Sequence, residues 1–524
     1  MELRKALNRV TYGVKPGQLK EAEKLGWETW VKQQLSLENN DSECDSLIQN
    51  ISYELSYKEK GKKHIKELSL FRYYASSEQI WNSIKGQDKP SRWLMEAGAV
   101  ETGLVTWTKA IHSKNQLFEM LVEFWHNHFN VSVETEDYIS CSFPIYDREV
   151  IRKNALGNFR SFTESVAKSP CMLLYLDNAF SKASPANENY ARELFELHTL
   201  GAMHYYNHLY DDWKNVPGAE NGESEGYIDE DIYEAARAFT GWTIGNGKKN
   251  HKLEFPSTGE FYYYDQWHDH YQKRVLGFEF KSHQDDMVDG HKVLDLVCYH
   301  KGTAKNLCTK LCKWFVSDTP SAELIEKTME VWLSNSTDED QLLKVVEFIL
   351  LSDDFTSSLN TKIKRPNHLV LTTARILDLE PSLEWVWLMQ QMGWKQFSWP
   401  LPTGHPDDAN YWLNTDMMLK RWNSLPMLLH LNMENGNKTK LTQETLKLEN
   451  TKLDTILDYW SERLLGEKLN SEYKTEMVNS LLADMEEMKG QEWSILAKDY
   501  PEGLEYKLIQ VVGMIALSPE FHKR

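Results

Sequence analysis

Apolar residues recur at helical spacing along most of the chain. From Asn115 to Phe129 they follow an i, i+3, i+4, i+7 pattern, which predicts an amphipathic helix. The same period returns in residues 293–351, 367–391 and 440–517. It also occurs in residues 42–86, where the basic stretch Lys58 to Lys66 is typical of a solvated connector between helices. We therefore predict a mainly α fold, a large globular array of many helices.

Two stretches depart from this helical pattern. Residues 251–283 are aromatic and alternating, which predicts a small β-hairpin or an irregular flap. Residues near 208–226 are rich in Asp, Glu, Gly and Asn, which favours an acidic surface insertion. We predict a main helical domain over residues 1–430 that carries this insertion, and a C-terminal helical part over residues 431–524 packed on it.

Charge and composition narrow the functional classes. The net charge is −19, from 59 basic and 78 acidic residues, which disfavours unspecific binding to nucleic acid or to an anionic membrane. No run of 18 apolar residues occurs, so we expect no membrane span. The six cysteines are scattered without a Cys-x-x-Cys pair, which favours reduced thiols. The N-terminus lacks an apolar signal region, so we expect a cytoplasmic protein, or an exported one if a leader precedes these residues.

The stretch from Pro185 to Gly201 concentrates polar chemistry in one predicted helix. At 100° per residue, four side chains fall within an arc of about 100°: Asn189, Arg192, Glu193 and Glu196. His198 falls on roughly the opposite side. One interpretation is a solvated stripe, with Glu188 and Arg192 as an i, i+4 ion pair worth about 0.3 kcal/mol. The other is the wall of a polar site.

Histidines near two other segments are also candidates. His126 and His128 would point the same way on a strand, as in His-x-His metal sites, but diverge by about 200° on a helix. The alternative is that His128 packs in the core and His126 caps the helix end or faces water. Further on, His268, Asp269 and Lys273 suit a metal or an anion, or else a polar loop with internal hydrogen bonds.

The ordered motifs resemble the large bacterial family catalogued as domain of unknown function 1800. They include FWHNHF at Phe124–Phe129 and NENYAREL-x-ELHTLG at Asn187–Gly201, with further matches at Arg9–Gly13, Ala236–Trp242, Arg365–Pro366 and Pro402–Gly404. The resemblance covers nearly the whole chain, but Lys301 follows His300 where the pattern has proline. It implies a fold and a set of pattern residues without a reaction. It also implies a two-protein system, because members pair with a sulfatase-like partner protein.

These features lead to two functional hypotheses. The first is a metal-dependent enzyme, either a hydrolase or an oxidoreductase, with a His/Glu/Arg polar centre between two helices. Its divalent metal, Zn, Fe or Mn, would be held by His126, His128 and His198. Glu193 or Glu196 would act as the general base and Arg192 would hold the substrate. Other candidates for the polar centre are Glu188, Asn189, His268, Asp269 and Lys273.

The second hypothesis is a non-catalytic binding or assembly protein whose buried polar network is structural. A fully satisfied network of this kind can specify helix packing without any chemistry. In either case we expect no nucleotide cofactor, because the sequence contains neither a P-loop nor a dinucleotide-binding fingerprint.

Overall fold

The computed structural model describes residues 2–37, 39–59, 61–85, 92–250, 253–434, 440–483 and 485–524. Within these ranges the chain forms 27 α-helices, and its short strands pair only two at a time. The predicted mainly α fold is therefore confirmed. None of the described helices is both long enough and apolar enough to cross a membrane.

The first third of the chain builds the helices around the later site. In chain order the elements are α1 Leu3–Val10, α2 Gln18–Leu25, α3 Trp27–Ser36, α4 Ser42–Gln49, β1 Ser52–Glu59, β2 Lys62–Ser69, α5 Phe71–Tyr74, α6 Ser77–Ile84, α7 Arg92–His112, α8 Gln116–His128, α9 Asp137–Ile145, α10 Phe159–Lys168 and α11 Pro170–Tyr175. A π-helical segment, Tyr146–Arg152, continues α9.

The middle of the chain contains most of the strands. Its elements are α12 Asn189–Glu193, α13 Asp229–Ala238, β3 Trp242–Asn246, β4 Lys249–Asn250, β5 Leu253–Glu254, β6 Ser257–Tyr263, β7 Lys273–Val275, β8 Phe278–Phe280, α14 Val288–Cys298, α15 Lys301–Phe315, α16 Ala322–Ser334, α17 Gln341–Leu350 and α18 Asp353–Ser357. The polar helix predicted from Pro185 starts later, at Asn189, and its last turns are π-helical over Leu194–His198.

The last third is again helical. Its elements are α19 Pro366–Leu377, α20 Glu384–Gln391, α21 Ala409–Trp412, α22 Thr415–Glu434, α23 Leu441–Thr445, α24 Leu453–Leu464, α25 Ser471–Leu482, α26 Ser494–Asp499 and α27 Pro501–Ala516. Helix α22 runs through residue 430. The division into residues 1–430 and 431–524 stays a prediction, and its boundary falls inside this helix.

The helical prediction for residues 42–86 is wrong over β1 and β2. These strands pair antiparallel from Ser52↔Ser69 to Glu59↔Lys62, so the basic stretch belongs to a hairpin and does not connect two helices. The alternation explains the difference: Tyr53 and Leu55 are buried, while the residues between and beside them are exposed. A period of two marks a strand with one buried face.

The predicted β flap is present, and it begins earlier than expected. Strand β3 pairs with β6 from Trp242↔Tyr263, with an irregularity between Ile244 and Asn246, and β7 pairs with β8. Residues 251 and 252 of the predicted range lie outside the described residues. The acidic segment near 208–226 forms short 3₁₀ turns over Trp213–Asn215 and Ala219–Asn221.

Helix α8 lies in the middle of the core and positions the site. It packs against α1, α3, α7 and the π-helical segment Tyr146–Arg152. Arg9 of α1 connects the helices around α8 to the segment that contains α15–α18 through hydrogen bonds. Its side chain is fully buried and donates to the carbonyl oxygens of Phe315 (3.0 Å), Val316 and Ser358 (2.7 Å).

Replacing Arg9 by methionine should destabilise the fold strongly. The substitution keeps the volume but leaves three buried carbonyl groups without their donor, and each such loss costs about 1–3 kcal/mol. We expect R9M to lower the free energy of unfolding by about 3 kcal/mol or more, measured by denaturant titration. The exposed variant K5M should change it by less than about 0.5 kcal/mol. Equal effects of the two variants would contradict the anchoring role.

Candidate functional site

A small pocket with several polar lining residues lies between α8, α19 and the loop of residues 393–408. Its volume is about 40 Å³, enough for one or two water molecules or for one small polar group of a ligand. The lining residues are Tyr12, Thr106, Val122, Glu123, His126, Asn127, Asn130, Asn367, Leu371, Trp394, Gln396, Phe397 and His405. Polar groups that converge in a pocket with aromatic walls are the usual composition of a ligand site.

His126 lines this pocket and is held by a buried carboxylate. Its Nε2 lies 2.8 Å from Oδ1 of Asp147, which is fully buried. Arg152 donates to the other oxygen of Asp147 at 2.8 Å, and Tyr73 donates at 3.3 Å. Burial alone would raise the pKa of Asp147, but Arg152 and His126 outweigh it and hold that pKa well below its usual range. An ionised carboxylate only accepts, so Nε2 of His126 carries the proton of this hydrogen bond.

Glu123, on α8 one helical turn before His126, forms a second buried carboxylate centre. It accepts from the Tyr12 hydroxyl at 2.6 Å and from Nε2 of His368 at 2.9 Å, and Nη1 of Arg365 lies 3.8 Å away. Burial opposes ionisation, yet these partners hold the pKa of Glu123 well below its usual range. Burial lowers the pKa of His368 to about 4. At neutral pH the pair is therefore an ionised glutamate and a neutral histidine.

The polar end of α8 also fastens the loop that covers the pocket. Asn127 donates to the His405 carbonyl at 2.9 Å and accepts from the His405 backbone N–H at 2.7 Å. Asn130 donates to the carbonyl groups of Trp399 and Leu401. Gly404 has a φ of +68°, and a Cβ there would overlap the Asn127 carbonyl oxygen, so the loop requires glycine at this position.

Two polar atoms of the pocket wall have no partner among the described residues. They are the hydroxyl oxygen of Thr106 and Oδ1 of Asn367, and both are buried. Thr102 and Thr108, on the same helix α7, bond the carbonyl four residues earlier, whereas Thr106 does not. Buried polar groups are normally satisfied, so unsatisfied ones at a pocket indicate a place for a ligand or for water.

The predicted ligand His128 lies on the other side of α8 from His126. Its Nε2 is 3.1 Å from the backbone carbonyl of His198, and its Nδ1 is 3.4 Å from Nζ of Lys310. The two imidazole rings of His128 and His198 are 6.0 Å apart. Both are buried, and both ring nitrogens of His198 lack a partner in the described structure. Burial, then the Lys310 charge, lowers the pKa of each histidine, to about 3 for His198.

The predicted catalytic residues of α12 form a partly exposed ion-pair network. Arg192 lies 3.3 Å from both Glu188 and Glu196 and 3.2 Å from Asp229. Such pairs contribute only about 0.2–1 kcal/mol each at a surface. Asn189 is exposed, and Glu193 is half-buried, where burial and the Glu196 carboxylate raise its pKa. This geometry matches the solvated-stripe interpretation of these residues.

His268, Asp269 and Lys273 belong to a different and fully bonded cluster. Asp269 receives two hydrogen bonds from Arg237, at 2.8 and 3.0 Å. Asp289 pairs with Lys273 at 2.6 Å and with His268 at 3.3 Å. The structural interpretation suits this cluster, because each of its charges already has an opposite partner.

The predicted metal ligands do not assemble into one centre in this geometry. His126 bonds Asp147, while His128 and His198 meet on the opposite side of α8. Over the described ranges, no group of three or more His, Cys, Asp or Glu side chains is placed to hold a metal ion. Metal binding by His126, His128 and His198 stays a prediction.

Comparison with known proteins gives one match. A family model described as "Protein of unknown function (DUF1800)" matches residues 5–523. The chain belongs to this family. No curated protein matches the chain, and no solved structure matches it. The predicted family resemblance is therefore confirmed over essentially the whole chain.

Three of the DUF1800 motif segments meet at or beside the pocket although they are far apart in sequence. Tyr12 of Arg9–Gly13 and His126 of Phe124–Phe129 line it, and Arg365 of Arg365–Pro366 lies 3.8 Å from the lining residue Glu123. Prediction from sequence missed several residues of the site: Thr106, Glu123, Asp147, Asn367, His368 and His405. One signal was available. At 100° per residue, four polar residues of the apolar helix α8 share an arc of about 80°, and these are Gln116, Glu119, Glu123 and His126.

A larger open groove of about 1770 Å³ lies elsewhere on this DUF1800 protein. Its acidic residue Asp378 is already shared by Lys15 at 3.1 Å, by Lys440 and by His112 at 3.7 Å. No buried unpartnered side-chain atom found in the described part of the chain lines this groove. We therefore place the candidate chemistry in the small pocket.

Acid should destabilise the protein through Asp147 and Glu123. Each has a lowered pKa in the fold, so its stabilisation is complete above the ordinary values of 3.8 and 4.5 and is lost as the pH falls below them. We expect the free energy of unfolding to fall as the pH drops below 5, and D147N to remove about 1 kcal/mol of the loss between pH 5 and pH 3. The exposed control E28Q should change the pH dependence far less, because solvent screens the Lys32 interaction that lowers the pKa of Glu28. An unchanged slope in D147N would contradict the ionised state of Asp147.

The prediction of a bound divalent metal can be tested with variants of His128 and Glu193, two predicted site residues that do not line the pocket. If His128 and Glu193 are structural, protein purified without chelators should have the same Zn, Fe and Mn content in H128A and E193A as in the wild type. Elemental mass spectrometry measures this content. Stoichiometric metal that disappears in both variants would instead support one shared site for these residues.

Proposed function

We propose that this protein is an enzyme of the hydrolase class that uses His126 as its proton-transfer group. The supporting observation is one arrangement. A histidine oriented by a buried ionised carboxylate lines a pocket whose wall also holds two unpartnered polar atoms, on Thr106 and Asn367. A histidine held in one tautomer by a carboxylate is a general base in many hydrolytic enzymes.

In the proposed reaction, Nδ1 of His126 takes a proton from a water molecule in the pocket. The resulting hydroxide attacks an electrophilic carbon or phosphorus of the substrate, and the imidazolium returns the proton to the leaving group. Asp147 stabilises the imidazolium and keeps the ring orientation fixed. The pocket has room for only one or two waters, so only the reacting group of the substrate enters it while the covering loop stays closed.

A divalent metal, Zn, Fe or Mn, remains a proposal in this scheme. His126 and Glu123 are lining residues of types that such metals bind, but each already has a protein partner. A metal-bound form would require at least one of these hydrogen bonds to open. Oxidoreductase chemistry would require, in addition, a redox-active metal or cofactor. An oxidoreductase remains the alternative to a hydrolase within the enzyme proposal. The sulfatase-like partner also stays a proposal.

A structural role for the polar residues is the second candidate function. It is favoured by the cluster of Arg237, His268, Asp269, Lys273 and Asp289, whose charges are fully paired. Under this proposal the protein binds or assembles without catalysis, and its buried networks only fix helix packing. The two proposals differ at the pocket, because catalysis gives a role to the unpartnered atoms of Thr106 and Asn367 and a structural network does not.

Removal of the His126 imidazole should abolish turnover and leave the fold intact. We expect H126Q to lose about 10²–10⁴-fold in kcat/KM on any ester, amide or phosphoester that the wild type cleaves in a substrate screen. D147N should lose activity as well, because it removes the charge that supports the imidazolium. Circular dichroism and thermal unfolding of each variant verify that the fold is retained.

The matched controls are R192Q and E196Q, which alter the surface network of α12. Both should keep activity within about twofold of the wild type, because surface ion pairs contribute little. Full activity in H126Q together with a large loss in R192Q would reverse the assignment and restore α12 as the site. Absence of any turnover across the screen, with no change in thermal stability on adding substrates, would favour the structural role.

A further inference from the structure

Residues 362–364 and 522–524 run side by side as a short antiparallel pair. Ile363 and Lys523 form the bridge, and backbone hydrogen bonds of 2.8 Å flank it on both sides. Side chains alternate between the two faces of such a pair. The side chains of Ile363 and Lys523 therefore lie on one face, and those of the four flanking residues lie on the other. The four side chains on this face are all basic and all buried: Lys362, Lys364, His522 and Arg524.

The two ends of this basic face differ in their counter-charges. At one end, Lys362 pairs with Asp318 and lies 3.6 Å from Asp407. At the other end, Lys364 donates to the Phe521 carbonyl oxygen at 2.7 Å, and neither ring nitrogen of His522 has a partner in the described structure. The second end therefore carries basic groups without a carboxylate.

Arg421 of α22 adds another charge at this second end. Its side chain is fully buried, and none of its three nitrogens has a partner among the described residues. Helix α22 packs on α19, which starts at Pro366, and on α27, which ends at Ala516 just before the second strand of the pair. Burial, then the charges of Arg421 and Lys364, lowers the pKa of His522 to about 3, so both basic groups lie near enough to act on His522.

A buried guanidinium cannot relieve its charge by losing a proton, and it has five donors to satisfy. An uncompensated charge in the interior is far more costly than a lost hydrogen bond. Water could satisfy the donors but would not neutralise the charge. The buried charge of Arg421 therefore calls for one negative charge beside its guanidinium group.

We infer that Arg421, Lys364 and His522 enclose a small oxyanion of the phosphate or sulfate class. The guanidinium fork matches two oxygens of such an ion. Burial lowers the pKa of Lys364 to about 7, and a bound anion would favour its protonated form, which adds N–H donors to the site. The nitrogens of Arg421 and His522 are closed off from solvent, so the site suits an inorganic ion and excludes a large anionic molecule. This site is independent of the reaction proposed for the pocket.

The bound ion can be measured directly and through stability. Protein exchanged into an oxyanion-free buffer and then denatured should release about one phosphate or sulfate per chain, as measured by ion chromatography. If the exchange removes the ion, added phosphate should raise the Tm by about 1–3 °C per tenfold increase above its Kd, while chloride at equal ionic strength should not. Absence of both effects would overturn the inference.

The variant R421M should change the Tm in a direction that the loss of a purely structural arginine would not. In oxyanion-free buffer its Tm should equal or exceed that of the wild type, because an uncompensated charge is gone. In phosphate the wild type should become the more stable of the two, and R421M should not respond. K364M should weaken the phosphate response, which provides a second readout if R421M folds poorly.

The matched control is R375M. Arg375 is equally buried, but it donates to the Gly13 and Ile111 carbonyl groups and to Gln18. Its loss should lower the Tm in both buffers while the phosphate response is retained. If R421M behaves as R375M does, with a lower Tm in both buffers and an intact phosphate response, Arg421 is structural and the inference fails.

Discussion

The interior of this protein depends on carboxylates that remain ionised after burial. Glu123 lies on helix α8 and Asp147 packs beside it, and each requires cationic or hydrogen-bonding partners from elsewhere in the chain. Glu123 is bonded or paired to Tyr12, His368 and Arg365. Asp147 is bonded to His126, Arg152 and Tyr73. Because an unpaired buried charge is so costly, these pairings fix how segments hundreds of residues apart must pack.

The same constraint explains why the loop of residues 393–408 is ordered without secondary structure. Asn127 and Asn130 satisfy its backbone groups, and the His405 ring stacks on Trp394 at 3.8 Å. The Arg365 guanidinium reaches Asp407 at 3.2 Å as well as Glu123. The loop that covers the pocket is thus held by the charges and amides that build the pocket, and its position and that of His126 are coupled.

Sequence patterns predicted the helices and the faces of single residues, but not the partners. The period of α8 placed His126 and His128 on different sides, as the structure has them. It could not show that Asp147 or His368 would complete the site, because these partners come from elements whose packing is not local. The hairpin β1–β2 was missed because its apolar residues suit both periods over a short run, and only Tyr53 and Leu55 become buried. The polar stripe of α8 is readable from the sequence, and the catalytic roles predicted for residues of α12 stay predictions.

Density of ionisable residues is therefore a weaker guide to function than their state of satisfaction. The Arg192 network is dense but partly exposed, and the cluster of Arg237 and Asp289 is buried but fully paired. Neither needs anything further to be stable. Thr106 and Asn367 at the pocket, and Arg421 on α22, are buried with atoms that no described residue satisfies. Since folding alone selects against such groups, their persistence is best explained by something that the protein binds.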